Sequence, residues 1–172
     1  MKSKLIIFGA FMWLFLQPIS AEQLPIKTYT TADGLPRDRV YKIVNDPRGF
    51  LWFCTNDGVS RFDGYEFTNY STSNGLPHRV INDLLITKSG DYWVGTDLGV
   101  ARFNPLATTP NAKFQAYHSA SGRHGSDAIE NLYEAADGTI WVATTNGLHR
   151  LTQTSGNWQL EYVSLGEKID AR

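Results

Sequence analysis

Gly90-Asp91-Tyr92-Trp93-Val94-Gly95-Thr96-Asp97-Leu98-Gly99-Val100-Ala101-Arg102-Phe103 is one of three copies of a single pattern. The others are Gly49-Phe-Leu-Trp52-Phe-Cys-Thr55-Asn-Asp-Gly58-Val-Ser-Arg61-Phe62 and Gly138-Thr-Ile-Trp141-Val-Ala-Thr144-Thr-Asn-Gly147-Leu-His-Arg150-Leu151. Trp52, Trp93 and Trp141 lie 41 and 48 residues apart, and Gly58, Gly99 and Gly147, like Arg61, Arg102 and Arg150, keep those two spacings. Chance does not hold several positions in one register. A period of this size, rich in β-formers and with one Trp per unit, indicates propeller blades or another solenoid-like array.

Each unit reads as a four-stranded antiparallel meander. In the first, β-rich Val40 to Asn45 is followed by a turn at Asp46-Pro47-Arg48-Gly49, and a second strand runs from Phe50 to Thr55. Asn56-Asp57-Gly58 turns again, Val59 to Phe62 is a third strand, Asp63-Gly64 turns tightly, and Glu66 to Tyr70 is a fourth. The longer second spacing comes from Asn104 to Ala112, a Pro-containing loop that replaces a tight turn, an insertion that loops tolerate.

Phe50, Leu51, Trp52 and Phe53 are consecutive, so the strand is expected to be covered on both faces, as in blades stacked around an axis. The 3.6-residue period of a helical solenoid is absent. Cys54 aligns with Gly95 and Ala143, which predicts a small residue in close packing rather than a reactive thiol. As the chain's one cysteine it cannot form an internal disulfide.

The fourth strands Phe67-Thr-Asn-Tyr70 and Phe114-Gln-Ala-Tyr117 are matched by Ile26-Lys-Thr-Tyr29. The expected fold is therefore all-β: an incomplete β-propeller of about three four-stranded antiparallel blades plus an orphan N-terminal outer strand. Residues 22–29 form that strand, which closes a missing last blade, and 30–70, 71–117 and 118–163 are blades 1, 2 and 3. Residues 164–172 begin the next connecting loop. Rings take four to eight blades, so three predict an amino-terminal part of a longer protein, with an oligomer of open arcs as the alternative.

The start of the chain bears on compartment. Lys2 and Lys4, the apolar run Leu5 to Leu16 and Pro18-Ile19-Ser20-Ala21 read as a secretory signal peptide over residues 1–21. The rival reading is an uncleaved anchor, but twelve residues span only about 18 Å of a core of ~30 Å. The remainder is expected in the periplasm or outside the cell. The 172 residues carry a formal charge of −1, and losing Lys2 and Lys4 with the leader makes it −3, which argues against nucleic-acid binding. Hydrophobic content of 42% with 13% aromatics indicates a folded core rather than disorder.

Asp33-Gly34-Leu35-Pro36 and Asn74-Gly75-Leu76-Pro77, each leading to Gly-x-x-Trp, Thr and Gly-Val-x-Arg-Phe, resemble the two-component regulator propeller repeat. The resemblance runs from about Ile26 to Val163. The third unit departs from it, with Ser121-Gly122-Arg123-His124-Gly125 in place of Gly-Leu-Pro. What the resemblance implies is the periplasmic sensing part of a bacterial receptor of the histidine-kinase type, with a glycan or related nutrient as ligand. It also implies that the membrane is reached only through a missing downstream segment.

Residues repeated in every blade are expected to serve the fold. Trp52, Trp93 and Trp141 are read as core, Gly58, Gly99 and Gly147 as turn residues, and Thr55, Thr96 and Thr144 as bonding the neighbouring turn. Arg61, Arg102 and Arg150 are expected to bond carbonyls or acids between blades. An asymmetric ligand needs a surface that does not repeat. Arg37 and Arg39 with Asp38, His78 and Arg79, and Arg123 and His124 with Asp127 lead into the three inner strands and belong to one rim of the channel. Converging, they would suit a glycan or small anionic ligand such as a sugar acid, sulfate or carboxylate; the competing reading is a solvated set of loop charges.

No catalytic constellation, cofactor motif or metal-ligand spacing is read. His78, His118, His124 and His149 lack metal-ligand spacing, and no Gly-rich loop leads from a strand into a helix. The aspartate of a Ser-x-Asp-x-Gly-x-x-Trp box is missing, since Pro47, Lys88 and Ala136 stand at its place. The expected partners are the remaining blades and the ligand, not nucleic acid. Two further function classes stay open: a fragment of a secreted propeller lyase or glycosidase, and a short propeller-arc adaptor.

Overall fold

The computed structural model describes residues 24–118 and 128–164. Twelve strands form three antiparallel four-stranded sheets. The first holds β1 (Val40–Asn45), β2 (Leu51–Thr55), β3 (Gly58–Phe62) and β4 (Phe67–Tyr70) in sequence order. The second holds β5 (Ile81–Ile86), β6 (Tyr92–Thr96), β7 (Gly99–Phe103) and β8 (Phe114–Tyr117). The third holds β9 (Ile129–Glu134), β10 (Ile140–Thr144), β11 (Gly147–Thr154) and β12 (Asn157–Val163). The sheets fall within the three units marked by the tryptophans. Among the described residues no sheet closes on itself, so the architecture is an open arc of propeller blades.

The repeated threonine makes the second turn of every blade. Thr55 Oγ1 donates to the Gly58 carbonyl at 2.8 Å and accepts the Asp57 amide at 3.1 Å. Thr96 and Thr144 bond Gly99 and Gly147 at 2.8 and 3.0 Å in the same way. Gly58 sits at φ 107°, and a Cβ there would lie 2.2 Å from the Tyr70 carbonyl oxygen. Only glycine satisfies both the backbone angle and that approach.

The blades pack face to face, and β5 touches both β1 and β9, which makes these three the inner strands. Trp52, Cys54, Val59 and Tyr70 of blade 1 meet Leu84, Tyr92, Val94, Ala101, Phe103 and Phe114 of blade 2 in one core layer. Trp93 and Val100 meet Ile129, Leu132, Ile140, Val142, Leu151 and Leu160 in the next. Every residue of β6 is buried, as a strand covered on both sides requires. In β2 the cover is unequal: Trp52 and Cys54 face blade 2 and are buried, whereas Leu51 and Phe53 on the other face are half-buried. Trp141 is half-buried because the face it occupies in blade 3 is the one that Trp52 and Trp93 present to a following blade.

Polar ties between blades come from residues that do not repeat. Asp83, buried in β5, accepts the Leu132 amide of blade 3 at 2.7 Å and pairs with Lys42 of blade 1. Asp46, at the first turn of blade 1, accepts from Tyr92 of blade 2. Glu134 of blade 3 accepts the Lys88 amide of blade 2 at 2.9 Å.

The leader expected over residues 1–21 lies outside the described residues. Within them, no helix is long and apolar enough to cross a membrane. Leu24 to Thr30 belong to no strand, and the sheet that residues 22–29 are expected to complete is not among the described residues.

Candidate ligand rim

The two Gly-Leu-Pro turns are built alike. Thr30 caps a 3₁₀ turn, Thr31–Asp33, in a reciprocal capping box with Asp33, and Gly34 follows at φ 102°. Ser71 and Asn74 do the same around Thr72–Asn74, with Gly75 at φ 96°. Leu35 and Leu76 are buried, so each turn is anchored before the candidate residues leave it. The Gly58 amide donates to the Arg79 carbonyl at 2.6 Å, tying the loop before β5 to the β2–β3 turn. Loops before inner strands and β2–β3-type turns therefore share one rim.

On that rim Arg37 and His78 each lie beside an acid of their own blade. Arg37 pairs with Asp57 at 3.0 Å. His78 Nδ1 accepts the Val80 amide at 3.2 Å and lies 3.6 Å from the Asp97 carboxylate, which also accepts from Asn82 at 2.8 Å. Arg39 and Arg79 are exposed, Arg39 with its guanidinium 5.0 Å from the Tyr41 ring centre. Asp38 accepts the Thr31 amide at 2.8 Å and so belongs to the turn. Arg123, His124 and Asp127 lie outside the described residues.

Asp57, which the sequence reads as part of a turn, and Asp97, which the sequence reading did not single out, also lie on the rim. The signal lies in the repeat itself: Asn56-Asp57 and Asp97-Leu98 both fill the two places between the repeated Thr and Gly. Blade 3 carries Thr145-Asn146 there and no acid. The described rim therefore combines two acid-paired residues, Arg37 and His78, with two exposed arginines, Arg39 and Arg79. Exposed pairs of this kind contribute only about 0–1 kcal/mol to stability, so an incoming ligand can compete for them cheaply.

The repeated arginines serve the blades, but not across them as expected. Arg102 donates to Asp91 at 3.1 and 2.5 Å, and Arg150 to Glu161 at 3.3 Å, both within one blade. The Arg61 guanidinium lies 4.5 Å from the ring centre of Phe50, again in its own blade. In each case an acid or a ring of the same blade lies within reach. Trp52 and Trp93 are fully buried core residues; Trp52 packs against Tyr92 and Phe103, and Trp93 against Tyr117 and Trp158. Burial pushes the Cys54 thiol up to about 12, the opposite of what a nucleophilic thiol needs.

Residues 34–57 and 75–97 match the family described as the two component regulator propeller, each match running from a Gly-Leu-Pro turn to a β2–β3-type turn. The chain carries two-component regulator propeller repeats. Solved structures agree on the fold. The arc superposes on the extracellular domain of a hybrid two-component system from B. thetaiotaomicron, BT4673, with a TM-score of 0.64 and 22% identity, covering 88% of this chain and 20% of that one. A second such domain, BT3049, gives 0.55 and 20%, covering 74% and 18%. A streptogramin B lyase gives 0.54 and 18%, covering 75% and 42%. The regulator-propeller arc thus spans about one-fifth of the two sensor domains. None of the curated proteins matches it.

Proposed function

We propose that this regulator-propeller arc is part of the extracytoplasmic sensing domain of a two-component receptor of the histidine-kinase type, and that the rim of non-repeating loops takes the ligand. The observation that carries the reading is the pair of matched repeats, 34–57 and 75–97, folded as adjoining blades with dissimilar loops on one rim. Export is supported by the leader-like residues 1–21 and by the extracellular placement of the similar sensor domains. The rest of the propeller and the signalling output are supplied by segments beyond the three blades.

The ligand is a glycan or a small anionic compound, bound by Arg37, Arg39, His78 and Arg79, with Arg123 and His124 from the third unit. Asp57 and Asp97 add acceptors, so a sugar acid meets guanidinium at its carboxylate and carboxylates at its hydroxyls. The reading as a fragment of a secreted lyase or glycosidase has fold likeness alone in its favour. The test is calorimetric titration of the intact receptor with glucuronate, sulfated and neutral oligosaccharides, alongside a signalling reporter. Binding by one class, lost in the Arg79→Ala and His78→Ala variants with unchanged melting, is the expected result. A receptor whose response and binding ignore both substitutions sinks the proposal.

A further inference from the structure

The arginine repeated in every blade has a carboxylate in blades 2 and 3 but not in blade 1. Arg102 pairs with Asp91, just before β6, and Arg150 pairs with Glu161 of β12. In blade 1 uncharged residues fill both places. Phe50 stands two residues before Trp52 as Asp91 stands before Trp93, and Thr68 lies directly opposite Arg61 as Glu161 lies opposite Arg150. Among the described residues Arg61 is in no ion pair, and its Nε is buried without a hydrogen-bond partner.

Phe50 answers the Arg61 charge with its ring, 4.5 Å from the guanidinium carbon. A ring attracts a cation but offers no oxygen to the five N–H donors of a guanidinium. Arg48 brings a second guanidinium to within 5.6 Å of the same ring centre. Its Nε and Nη2 are engaged with Asp46 and Tyr92, and its Nη1 is not. Asp63, two residues beyond Arg61, is held in its own turn, where it accepts the Tyr65 and Glu66 amides at 2.8 Å each.

This cluster lies away from the ligand rim. Arg61 pairs with Trp52, so it leaves the sheet on the face turned to blade 2. Arg48 and Phe50 belong to the turn between β1 and β2, at the opposite end of β2 from Thr55 and Gly58. Arg61 is half-buried, which keeps it within reach of solvent while strengthening its attraction for an anion.

We propose that Arg61, with Phe50 and Arg48 beside it, is a second binding site, at the seam of blades 1 and 2, for the oxyanion group of a small ligand: a carboxylate, sulfate or phosphate. A guanidinium matches such a group with two parallel N–H donors. The incoming oxyanion gives blade 1 what Asp91 and Glu161 give blades 2 and 3 from within the chain. The inference stands whatever the rim binds.

The test titrates the full-length chain with sodium acetate, sulfate and phosphate in turn, ionic strength being held constant with chloride, and follows the NMR resonance of the Arg61 side-chain Nε–H. Arg61→Lys assigns that resonance by its loss. The decisive variant is Thr68→Glu, which sets a carboxylate opposite Arg61 in the register that Glu161 has with Arg150. The expected result is a saturable shift with at least one of the three salts, weakened about tenfold or more in Thr68→Glu and retained in Arg79→Ala. Saturation by acetate identifies a planar carboxylate as the ligand group, and saturation by sulfate or phosphate a tetrahedral one. No saturation with any of the three overturns the proposal, as does equal affinity in Thr68→Glu and the parent. Should Thr68→Glu fail to fold, calorimetric titration of Arg61→Lys with the same salts decides, since lysine keeps the charge but lacks the fork. A drop of about tenfold supports the proposal, and unchanged affinity refutes it.

Discussion

The hydroxyl of Tyr92 donates to the carboxylate of Asp46 across the boundary between blades 1 and 2, at 2.5 Å. Asp46 is 1% exposed and also accepts from the Arg48 amide at 2.6 Å, the Arg48 guanidinium and the Trp52 indole at 3.2 Å. A buried carboxylate is costly unless it is surrounded by donors, and here both oxygens are. The hydrogen-bonded turn is thus also a clamp between blades. Removing the Tyr92 hydroxyl leaves the packing of its ring on Trp52 and Phe103 intact, so Tyr92→Phe isolates the hydrogen bond, with an expected loss of about 1–3 kcal/mol in urea unfolding.

The same carboxylate gives acid sensitivity a sign. Burial by itself would raise the Asp46 pKa, but the bonds from Arg48, Tyr92 and Trp52 outweigh it and lower it from 3.8 to about 2. A depressed folded-state value means stability present above the unfolded value and lost as pH falls through the folded one. The contribution, about 2 kcal/mol at neutral pH, should disappear between roughly pH 4 and pH 2. Unfolding free energy measured against pH in the parent and in Asp46→Asn tests this. The variant should be less stable at pH 7 and should approach the parent at the acid end; parallel curves would refute the assignment.

Equivalent tryptophans are expected to differ in worth. Trp93 is fully buried between blades 2 and 3, so Trp93→Ala should cost about 3–5 kcal/mol. Trp141 holds the same repeat position on the open face of blade 3 and is half-buried. Its alanine variant should cost less than half as much by denaturant titration, because solvent already reaches one side of the ring. Similar losses at the two sites would mean that the face of blade 3 is covered in solution.

The strands of blade 1 were legible almost residue by residue, because turn chemistry at Asp46-Pro47-Arg48-Gly49 and Thr55 to Gly58 is local and brackets each one. The blade stacking was legible from the repeat. What escaped were contacts between residues without counterparts in other units. Asp83 is the buried acid of an otherwise largely apolar inner strand, yet nothing local says that it reaches Lys42 on one side and Leu132 on the other. Asp46 looked like a turn former, which it is; that its carboxylate spans to Tyr92, 46 residues on, depends on the angle between two blades. The arginines misled in the opposite direction. Repetition suggested joints between blades, but Arg102 and Arg150 find Asp91 and Glu161 within their own blades, where no charge has to enter an apolar interface.

Close approach at the Cys54, Gly95 and Ala143 position makes a graded prediction. A Cβ on Gly95 would lie 2.7 Å from Cγ2 of Ile129, in the tightest part of the contact between blades 2 and 3. Gly95→Ala must push Ile129 aside, at a cost of about 1–3 kcal/mol. Ile129→Ala removes Cγ2 itself, so the double variant should lose less than the sum of the two single variants. Strict additivity in the double-mutant cycle would mean that the strain lies elsewhere.

Cys54 tests the depth of the first core layer by chemistry instead of mutation. Its thiol is fully buried, and burial, with the Asp83 carboxylate as a further contribution, holds its pKa near 12, so almost no thiolate exists at pH 8. Labelling by a maleimide should therefore proceed only through opening of the blade 1–blade 2 interface and should slow in proportion to the stability of that interface. Tyr92→Phe weakens the clamp without touching the cysteine, so it should speed labelling by about tenfold for each 1.4 kcal/mol lost. If the parent protein labels as fast as a free thiol, or if Tyr92→Phe is destabilised yet labels no faster, then Cys54 is reached by a route other than separation of the two blades.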